Sequence, residues 1–234
     1  MMAAIHQSHY LPWLRYMEKV ARADVFVVLD DVQYTKNGYQ NRTKVKGAGG
    51  WMYLTVPVRA CAGQLLCEVE IAQGAGWNRK HWRALQTNYG KARYFGEHEA
   101  ALAGIYQREW GRLEALNWEL LGYLCSALGV RTSLVRSSEL GVGGSATERL
   151  IQICRSVGAD RYYSGSHGAQ IYLDIAAMEA AGIEVVVQEW NCPSYRQCFP
   201  ETAFEPDLSV VDLLLNEGPG SLEVLRSGGQ VGLA

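Results

Sequence analysis

The sequence lacks the features that mark several large classes of protein. It has no run of five basic residues, and its 22 Lys and Arg are balanced by 24 Asp and Glu, for a net charge of -2. It also has no apolar run near the roughly 20 residues that a membrane-spanning helix requires. We therefore expect neither duplex DNA nor a membrane as a partner. A single-stranded RNA or a tRNA stays compatible with the sequence, because phosphate contacts need a local basic face rather than a basic protein.

The six cysteines form no recognisable zinc or disulfide pattern. There is no CxxC pair, and Cys61/Cys67 and Cys192/Cys198 are each six positions apart, which matches no usual spacing of zinc ligands. The chain also shows no secretory signal peptide. We therefore expect reduced thiols, a cytoplasmic location and no metal centre.

What the sequence does contain is the composition of an ordinary globular protein. Apolar residues make up 48% of its 234 residues and charged residues 20%, which argues against a disordered, collagen-like or coiled-coil chain. No linker or internal repeat divides the chain. We expect a single domain over residues 1–234, with a tail from about residue 228 to 234 that frays.

The start of the chain has the pattern of a βαβ unit. Residues 2–5 form a short apolar strand, and residues 11–21 have helical spacing with Pro12 in the first turn. Residues 24–29 are a β-branched and aromatic run, as in a strand buried on both faces of a parallel sheet. The unit predicts an α/β fold with a Rossmann-like, mainly parallel sheet and flanking helices.

The rest of the chain extends this pattern around an insertion. Residues 51–58 predict a hairpin or an added sheet, and apolar residues spaced by threes and fours predict a helical insertion around residues 77–128. Alternating strands and helices return over residues 132–188, and residues 208–216 predict a short helix.

Polar side chains follow both strands of the βαβ unit. His6, Gln7 and Tyr10 come after the first strand, and Asp30, Asp31 and Gln33 come after the second. The carboxyl ends of parallel strands meet at one edge, where such folds bind ligands. His6, Gln7, Asp30, Asp31 and Gln33 are therefore the first site candidates, with helix caps and a solvated turn as the alternative, and Tyr10 is a candidate substrate contact.

The stretch from Gln33 to Arg42 is a polar loop that we expect to contact and close over a substrate. Lys36 and Arg42 suit a phosphate or carboxylate, Arg42 by two parallel hydrogen bonds, and Asn41 adds an amide. Gly38 is a candidate hinge. The alternative is a solvated surface loop.

Three further groups of residues are weaker candidates. Ser164 and Ser166 precede a predicted helix, where hydroxyls and backbone N–H groups suit an anion. Lys80 and His81 lie on an aromatic helix and are either substrate contacts or outward-facing. Cys192 lies in a polar loop and is either a nucleophile, with His6, His9 or His167 as its base, or an unreactive thiol.

The order of these residues resembles the WbqC-like protein family. The resemblance rests on Ile5-His-Gln-Ser-His-Tyr-Leu-Pro-Trp13, on Asp24-Val-Phe-Val-Val-Leu-Asp-Asp-Val-Gln-Tyr34 and on Leu208-Ser-Val-Val-Asp-Leu-Leu-Leu-Asn-Glu-Gly218, and it covers almost the whole chain. The family usually has Pro at the position of Ser8 and His at that of Cys192. Its members occur among genes for bacterial surface polysaccharides and other specialised metabolites, in which amines or amino sugars carry unusual acyl groups. A more distant similarity of residues 5–33 to the nucleotidyltransferase superfamily of pantothenate synthetase agrees with a Rossmann-like core.

The resemblance implies a biosynthetic accessory enzyme, and we expect an acyl- or aminoacyl-transferase. It would form an amide on an amine or nucleotide-sugar acceptor, from a donor bound to an acyl carrier protein or a tRNA, with no cofactor required. His6 is then the candidate base, Asp30 or Asp31 orients it or contacts the ammonium, and the remaining polar candidates bind substrate.

Two other functions stay open at this point. In an ATP-dependent ligase or nucleotidyltransferase-like enzyme, Lys36, Arg42 and the loop at Ser164 would hold phosphates, and Asp30 or Asp31 would hold Mg²⁺. The third hypothesis is a non-catalytic binding or scaffold protein of a biosynthetic complex.

Overall fold

The computed structural model describes residues 1–74, 76–171 and 173–233, except for the side chains of His167, Gln170 and residues 230–233. In chain order the strands are β1 (Met2–Gln7), β2 (Val25–Leu29), β3 (Arg42–Gly47), β4 (Gly50–Thr55), β5 (Val58–Arg59), β6 (Glu70–Ile71), β7 (Ser133–Arg136), β8 (Arg161–Gly165), β9 (Glu184–Trp190) and β10 (Gly229–Leu233). The α-helices are α1 (Leu14–Arg22), α2 (Trp77–Tyr89), α3 (Phe95–Gln107), α4 (Leu113–Leu128), α5 (Ala146–Ser156), α6 (Ser166–Ile171), α7 (Ile175–Ala180), α8 (Val210–Glu217) and α9 (Ser221–Ser227).

The central sheet has the order β10-β9-β8-β1-β2-β7. The five strands from β9 to β7 are parallel, and β10 pairs antiparallel with β9 at the edge. This architecture confirms the expected α/β, Rossmann-like fold. Where the sequence predicts a frayed tail, the structure has the edge strand β10.

The βαβ unit is present as predicted, except that Pro12 precedes the helix and does not lie in its first turn. Strand β2 is apolar and almost wholly buried, because helices cover both faces of the sheet. α1 begins two residues after Pro12, and its buried side packs on Phe26 and Val28 of β2. The unit thus fixes the direction in which the carboxyl ends of β1 and β2 point.

The two faces of the sheet carry separate cores. Ala3, Ile5 and Val27 pack against α5 and α7, through residues such as Ile153 and Met178. The other face packs against α1, α8, α9 and the helices α2 to α4 of the predicted insertion. Alternation of side chains along each strand therefore sends adjacent residues to opposite cores.

A β-hairpin lies beside the sheet. Strands β3 and β4 pair antiparallel and are joined by a tight turn between Gly47 and Gly50. The backbone of Gly50 has a φ of 110°, which residues other than glycine rarely adopt. The inner face of the hairpin is buried at Val45 and Leu54. Trp51 and Tyr53 on the other face are exposed.

Among the described residues, no helix is both long and apolar enough to pass through a lipid bilayer.

Candidate functional site

The strand order reverses between β1 and β8. The chain leaves β1 through α1 on one face of the sheet and continues to β2 and β7, and it returns through α5 on the other face to β8 and β9. Crevices at the carboxyl ends of such strands are the usual ligand sites of open α/β sheets. We call the region formed by His6, Gln7, Ser164 and Gly165 the switch-point crevice.

His6 faces α1 within a compact aromatic cluster. Its ring centre lies 4.8 Å from that of His9 and 5.0 Å from that of Tyr16. His9 in turn stacks on Tyr16 at 4.9 Å. His9 and Tyr16 are buried, whereas His6 is only half-buried. His6 is therefore the member of the cluster that solvent can reach.

Lys19 brings a cationic group from α1 to the same place. Only 5% of this residue is exposed, and its Nζ lies 3.8 Å from the position that a Cβ on Gly165 would take. Burial lowers the pKa of Lys19 to about 8, although the Glu18 carboxylate raises it. The ammonium thus reaches across from α1 to the carboxyl end of β8.

Burial and Lys19 keep both histidines neutral. Desolvation and the positive charge of Lys19 lower the pKa of His6 well below its ordinary value, and they lower the pKa of His9 to about 3. Both rings are therefore uncharged at neutral pH and can accept a proton. His9 Nδ1 is buried without a hydrogen-bond partner among the described residues.

A pocket of about 400 Å³ opens on the opposite face of the crevice. Gln7, Ser164 and Arg149 of α5 contribute its polar lining. A guanidinium nitrogen of Arg149 lies 2.6 Å from Oδ1 of Asp31, and this ion pair is about four-fifths buried. Arg149 therefore brings a positive charge, balanced by a predicted site carboxylate, to the edge of the pocket.

A larger pocket of about 890 Å³ lies between the loop after β2 and the strands β4 and β5, and it contains much of the predicted polar loop. Gln33, Lys36, Asn41 and Arg42 line it. Asn41 is buried and donates to the carbonyl of Val56 at 2.9 Å, whereas Gln33 and Lys36 are exposed. The structure thus gathers these four candidates in one concave surface.

Gln7 connects the two pockets. Its side-chain oxygen accepts a hydrogen bond of 2.9 Å from Gln40, and the side-chain oxygen of Gln40 accepts one of 2.7 Å from the N–H of Thr35. Thr35 belongs to the lining of the larger pocket. The position of the loop is therefore tied to the end of β1, one residue from His6.

Asp30 has a structural role. The two oxygens of its buried carboxylate accept hydrogen bonds from the Ser137 hydroxyl, the Ser138 N–H and the Ser138 hydroxyl, at 3.1, 3.0 and 2.6 Å. These bonds attach the 3₁₀ turn after β7 to the end of β2. His6 is not among the hydrogen-bond partners of Asp30, so the carboxylate does not orient that ring.

Tyr10 and His81 also belong to the packing of the insertion. The Tyr10 hydroxyl lies 2.8 Å from His81 Nδ1 and 2.5 Å from the Tyr106 hydroxyl, and all three residues are buried. His81 therefore does not face outward. Lys80 is exposed on α2, and Ser166 is exposed at the start of the short helix α6.

Cys192 does not have the surroundings of an activated nucleophile. Burial raises the pKa of its thiol, and its Sγ accepts a hydrogen bond of 3.4 Å from the N–H of Asp207. Its charged neighbours are Arg15, Asp207 and Asp212 rather than a histidine. The side chain of His167, the other suggested base, lies outside the described residues.

The sequence did not single out Lys19, Arg149 or Glu114. Glu114 of α4 is 5% exposed, and burial raises its pKa to about 7 while nearby Asp30 acts in the same direction. Neither carboxylate oxygen has a hydrogen-bond partner of good geometry in the described part of the chain. Lys19 and Glu114 are charged residues at helical positions where the apolar pattern predicts a core residue, and this could have identified them from the sequence. Arg149 gave no such signal.

No group of three or more His, Cys, Asp or Glu side chains in the described residues is arranged to hold a metal ion.

Comparison with family models identifies one family. The model of the WbqC-like protein family matches residues 7–224. A relative, named "Uncharacterized protein Rv1507c" of Mycobacterium tuberculosis, is 36% identical over 227 residues, which are 95% of this chain and 96% of the relative. No solved structure matches.

Proposed function

Given that the chain belongs to the WbqC-like protein family, we propose that it is an amide-forming transferase. It moves an acyl or aminoacyl group from an activated donor, bound to a carrier or a tRNA, to an amine such as that of an amino sugar. The observation that carries the proposal is the cluster of His6, His9 and Lys19 at the switch-point crevice.

The reaction needs one proton acceptor and one positive group, and the cluster contains both. The amine nitrogen attacks the carbonyl carbon of the donor, so that an N–C bond forms and the C–O or C–S bond to the donor breaks. His6 takes the proton that the nitrogen loses and returns it to the leaving oxygen or sulfur. The Lys19 ammonium stabilises the negative charge on the carbonyl oxygen in the transition state.

His6 suits the role of base because it is the half-buried histidine of the cluster. The same surroundings that lower its pKa keep the ring neutral over the whole physiological range. His9 packs edge-on against it and restricts its orientation. A neutral and accessible imidazole can accept a proton in general-base catalysis, although the lowered pKa makes His6 a weaker base than an ordinary histidine.

Two pockets meet the need for two substrates. The larger pocket, with Lys36 and Arg42, offers positive charge to a phosphate-bearing substrate. The smaller pocket, with Gln7, Ser164 and Arg149, suits a smaller polar partner, which must extend past the carboxyl end of β1 to reach His6 on the other face of the sheet. The hydrogen bonds through Gln7 and Gln40 keep the two pockets in fixed register.

A transfer assay with a panel of donors tests the proposal. The purified protein is mixed with acyl carrier protein thioesters or aminoacyl-tRNAs and with amino-sugar nucleotides, and the amide is detected by mass spectrometry. His6→Gln keeps the size of the side chain, and we expect it to reduce turnover roughly 10²–10⁴-fold without lowering the melting temperature.

His98→Gln is the matched control, because His98 lies on α3 and contacts Tyr123 at 2.9 Å, outside the cluster. It should retain the turnover of the wild type. A His6→Gln variant within fivefold of wild type would remove His6 from the mechanism. An amide that forms only from a free acid with ATP and Mg²⁺ would replace transfer with ligation.

A further inference from the structure

The outer face of the β3–β4 hairpin combines exposed aromatic rings with cations. Trp51 and Tyr53 are 44% and 36% exposed and lie next to each other on the surface. Lys44 lies over the Trp51 ring at 4.3 Å, and Arg42 lies over the Tyr53 ring at 4.5 Å. The alternation of the strands places all four side chains on one side of the hairpin. We call this surface the hairpin face.

The hairpin face continues toward the switch-point crevice through further rings. Trp51 and Tyr53 have ring centres 5.1 Å apart, and Tyr39 lies next to Tyr53; burial raises the pKa of Tyr39, and the Tyr53 hydroxyl adds to the rise. Tyr39 in turn lies 5.9 Å from His9, which contacts His6. A path of aromatic side chains therefore leads from the exposed hairpin to the proposed base.

We infer that the hairpin face docks the single-stranded 3′ end of an RNA, and that the donor is an aminoacyl-tRNA. Stacked bases need exposed rings, and the phosphates between them need cations at alternate positions, which is the arrangement of Trp51, Lys44, Tyr53 and Arg42. The role of this RNA as donor rests on the proposed function, whereas its binding does not.

The alternative donor, an acyl carrier protein, fits the surface less well. An acidic carrier protein would bind the cations of the hairpin face, but such binding would not explain the two exposed rings. Among acidic groups, half-buried Asp207 lies near Lys44; burial raises the pKa of Asp207, and Arg15 and Lys44 oppose that rise. Lys44 and Arg42 can therefore still bind phosphates, and the exposed rings favour a nucleic acid over an acidic protein. The net charge of -2 does not argue against RNA binding, because phosphate contacts need only a local basic face such as the hairpin face.

Fluorescence anisotropy with a labelled, short single-stranded RNA ending in CCA tests the inference. We expect binding that weakens as salt rises, and weaker binding of the same RNA in a duplex. Trp51→Ala should weaken binding roughly tenfold, because one stacked base loses its platform. Trp51→Phe keeps a ring and should retain most of the affinity.

The cations have a matched control elsewhere on the surface. Lys44→Glu should abolish most of the binding, whereas Arg93→Glu should leave it unchanged, because Arg93 also covers a ring, Tyr94 at 5.2 Å, but lies outside the hairpin face. Melting temperatures identify any variant that fails to fold. Equal affinity of wild type, Trp51→Ala and Lys44→Glu for the RNA would overturn the inference.

The outcomes separate this inference from the proposed function. If the hairpin face binds RNA but no aminoacyl group is transferred, the surface stands and the transferase fails. If an amide forms from carrier thioesters and not from aminoacyl-tRNA, at a rate that Trp51→Ala does not change, the transferase stands and the RNA is not its donor. Loss of both RNA binding and transfer in Trp51→Ala supports the two together.

Discussion

The guanidinium of Arg42 makes several contacts at once, which the ammonium of a lysine cannot reproduce. Its guanidinium lies over Tyr53, one amino group donates to the carbonyl of Asn37, and its Nε is buried without a partner in the described part of the chain. It also lines the larger pocket. A planar fork in this position can stack on a ring and hold a phosphate or carboxylate at the same time.

We therefore expect Arg42→Lys to weaken the apparent affinity for the donor roughly tenfold to a hundredfold with the positive charge retained. The loss of a charge-assisted hydrogen bond costs about 1.5–3 kcal/mol. The measurement is KM for the donor against kcat, with Arg93→Lys as the control. An unchanged KM would make Arg42 a surface residue and would remove the main support for the loop as a clamp.

The thiols differ in exposure in a way that the sequence did not reveal. Cys61 is exposed and lines the larger pocket, whereas Cys192 is partly buried with a raised pKa. Only the thiolate reacts with alkylating reagents. We expect a small alkylating reagent to label Cys61 before Cys192, as mass spectrometry of the labelled peptides would show, and donor binding to protect Cys61. Faster labelling of Cys192 would restore it as a candidate nucleophile.

At the scale of elements, the packing of α4 against the sheet buries the Glu114 carboxyl group, and this burial lowers the stability of the fold when the group is charged. Glu114 has its pKa raised to about 7, because water is removed from its charged form. Arg136, with its Nε 4.0 Å away, is too distant for a hydrogen bond and compensates only in part. The folded state therefore binds a proton at Glu114 that the unfolded chain releases near pH 4.5.

This linkage predicts that Glu114→Gln stabilises the protein at neutral pH. The folded pKa is raised, so the charged form of Glu114 costs stability progressively from about pH 4.5 to pH 7. The difference in free energy of unfolding between variant and wild type should grow over this range by up to about 3 kcal/mol. Urea unfolding at several pH values measures it. A difference independent of pH would show that Glu114 is not buried as a charge.

The elements found from the sequence are those with a local cause. The βαβ unit and the helices α2 to α4 follow from patterns within a dozen residues, and the structure has them where the patterns predict. Strand β3, with Arg42, Lys44 and Lys46, does not look like a strand, because it carries three cations. Its buried side appears only in the fold, where Val45 packs on the core and the hydroxyl of Tyr89 accepts a hydrogen bond from the N–H of Lys46.

The candidate site divides in the same way. His6 and Gln7 are the last residues of β1 and Asp31 lies just after β2, and they were found because the carboxyl ends of these two strands share an edge. Lys19 reaches that edge from α1, where its core-facing helical position was the signal, whereas Arg149 reaches it from α5, far along the chain, and no local pattern indicates which way its side chain points. Asp30 and Tyr10 have the right position, but the packing of neighbouring elements uses their polar atoms.

The whole molecule should be sensitive to acid because it buries neutral histidines. Burial lowers the pKa of His6 and His9, and it lowers the pKa of His81 to about 4. In the unfolded chain each would titrate near 6.5. Between pH 6.5 and these lower values the unfolded state binds more protons, so stability that is present above pH 6.5 is lost as the pH falls.

Two buried carboxyls act in the opposite direction. The pKa of Asp212 is raised to about 6 and that of Glu114 to about 7, so both bind protons in the folded state. The three histidines outweigh them by roughly one proton near pH 5, which corresponds to about 1.4 kcal/mol of stability lost per pH unit.

We expect the melting temperature to fall from pH 7 to pH 5, more steeply in Glu114→Gln than in wild type and less steeply in His81→Gln. The slope with pH is the measured quantity, since His81→Gln also loses its contact with Tyr10. A melting temperature that is constant or rises over this range would mean that the histidines are protonated in the folded protein, and a neutral His6 at the switch-point crevice would then lose its physical basis.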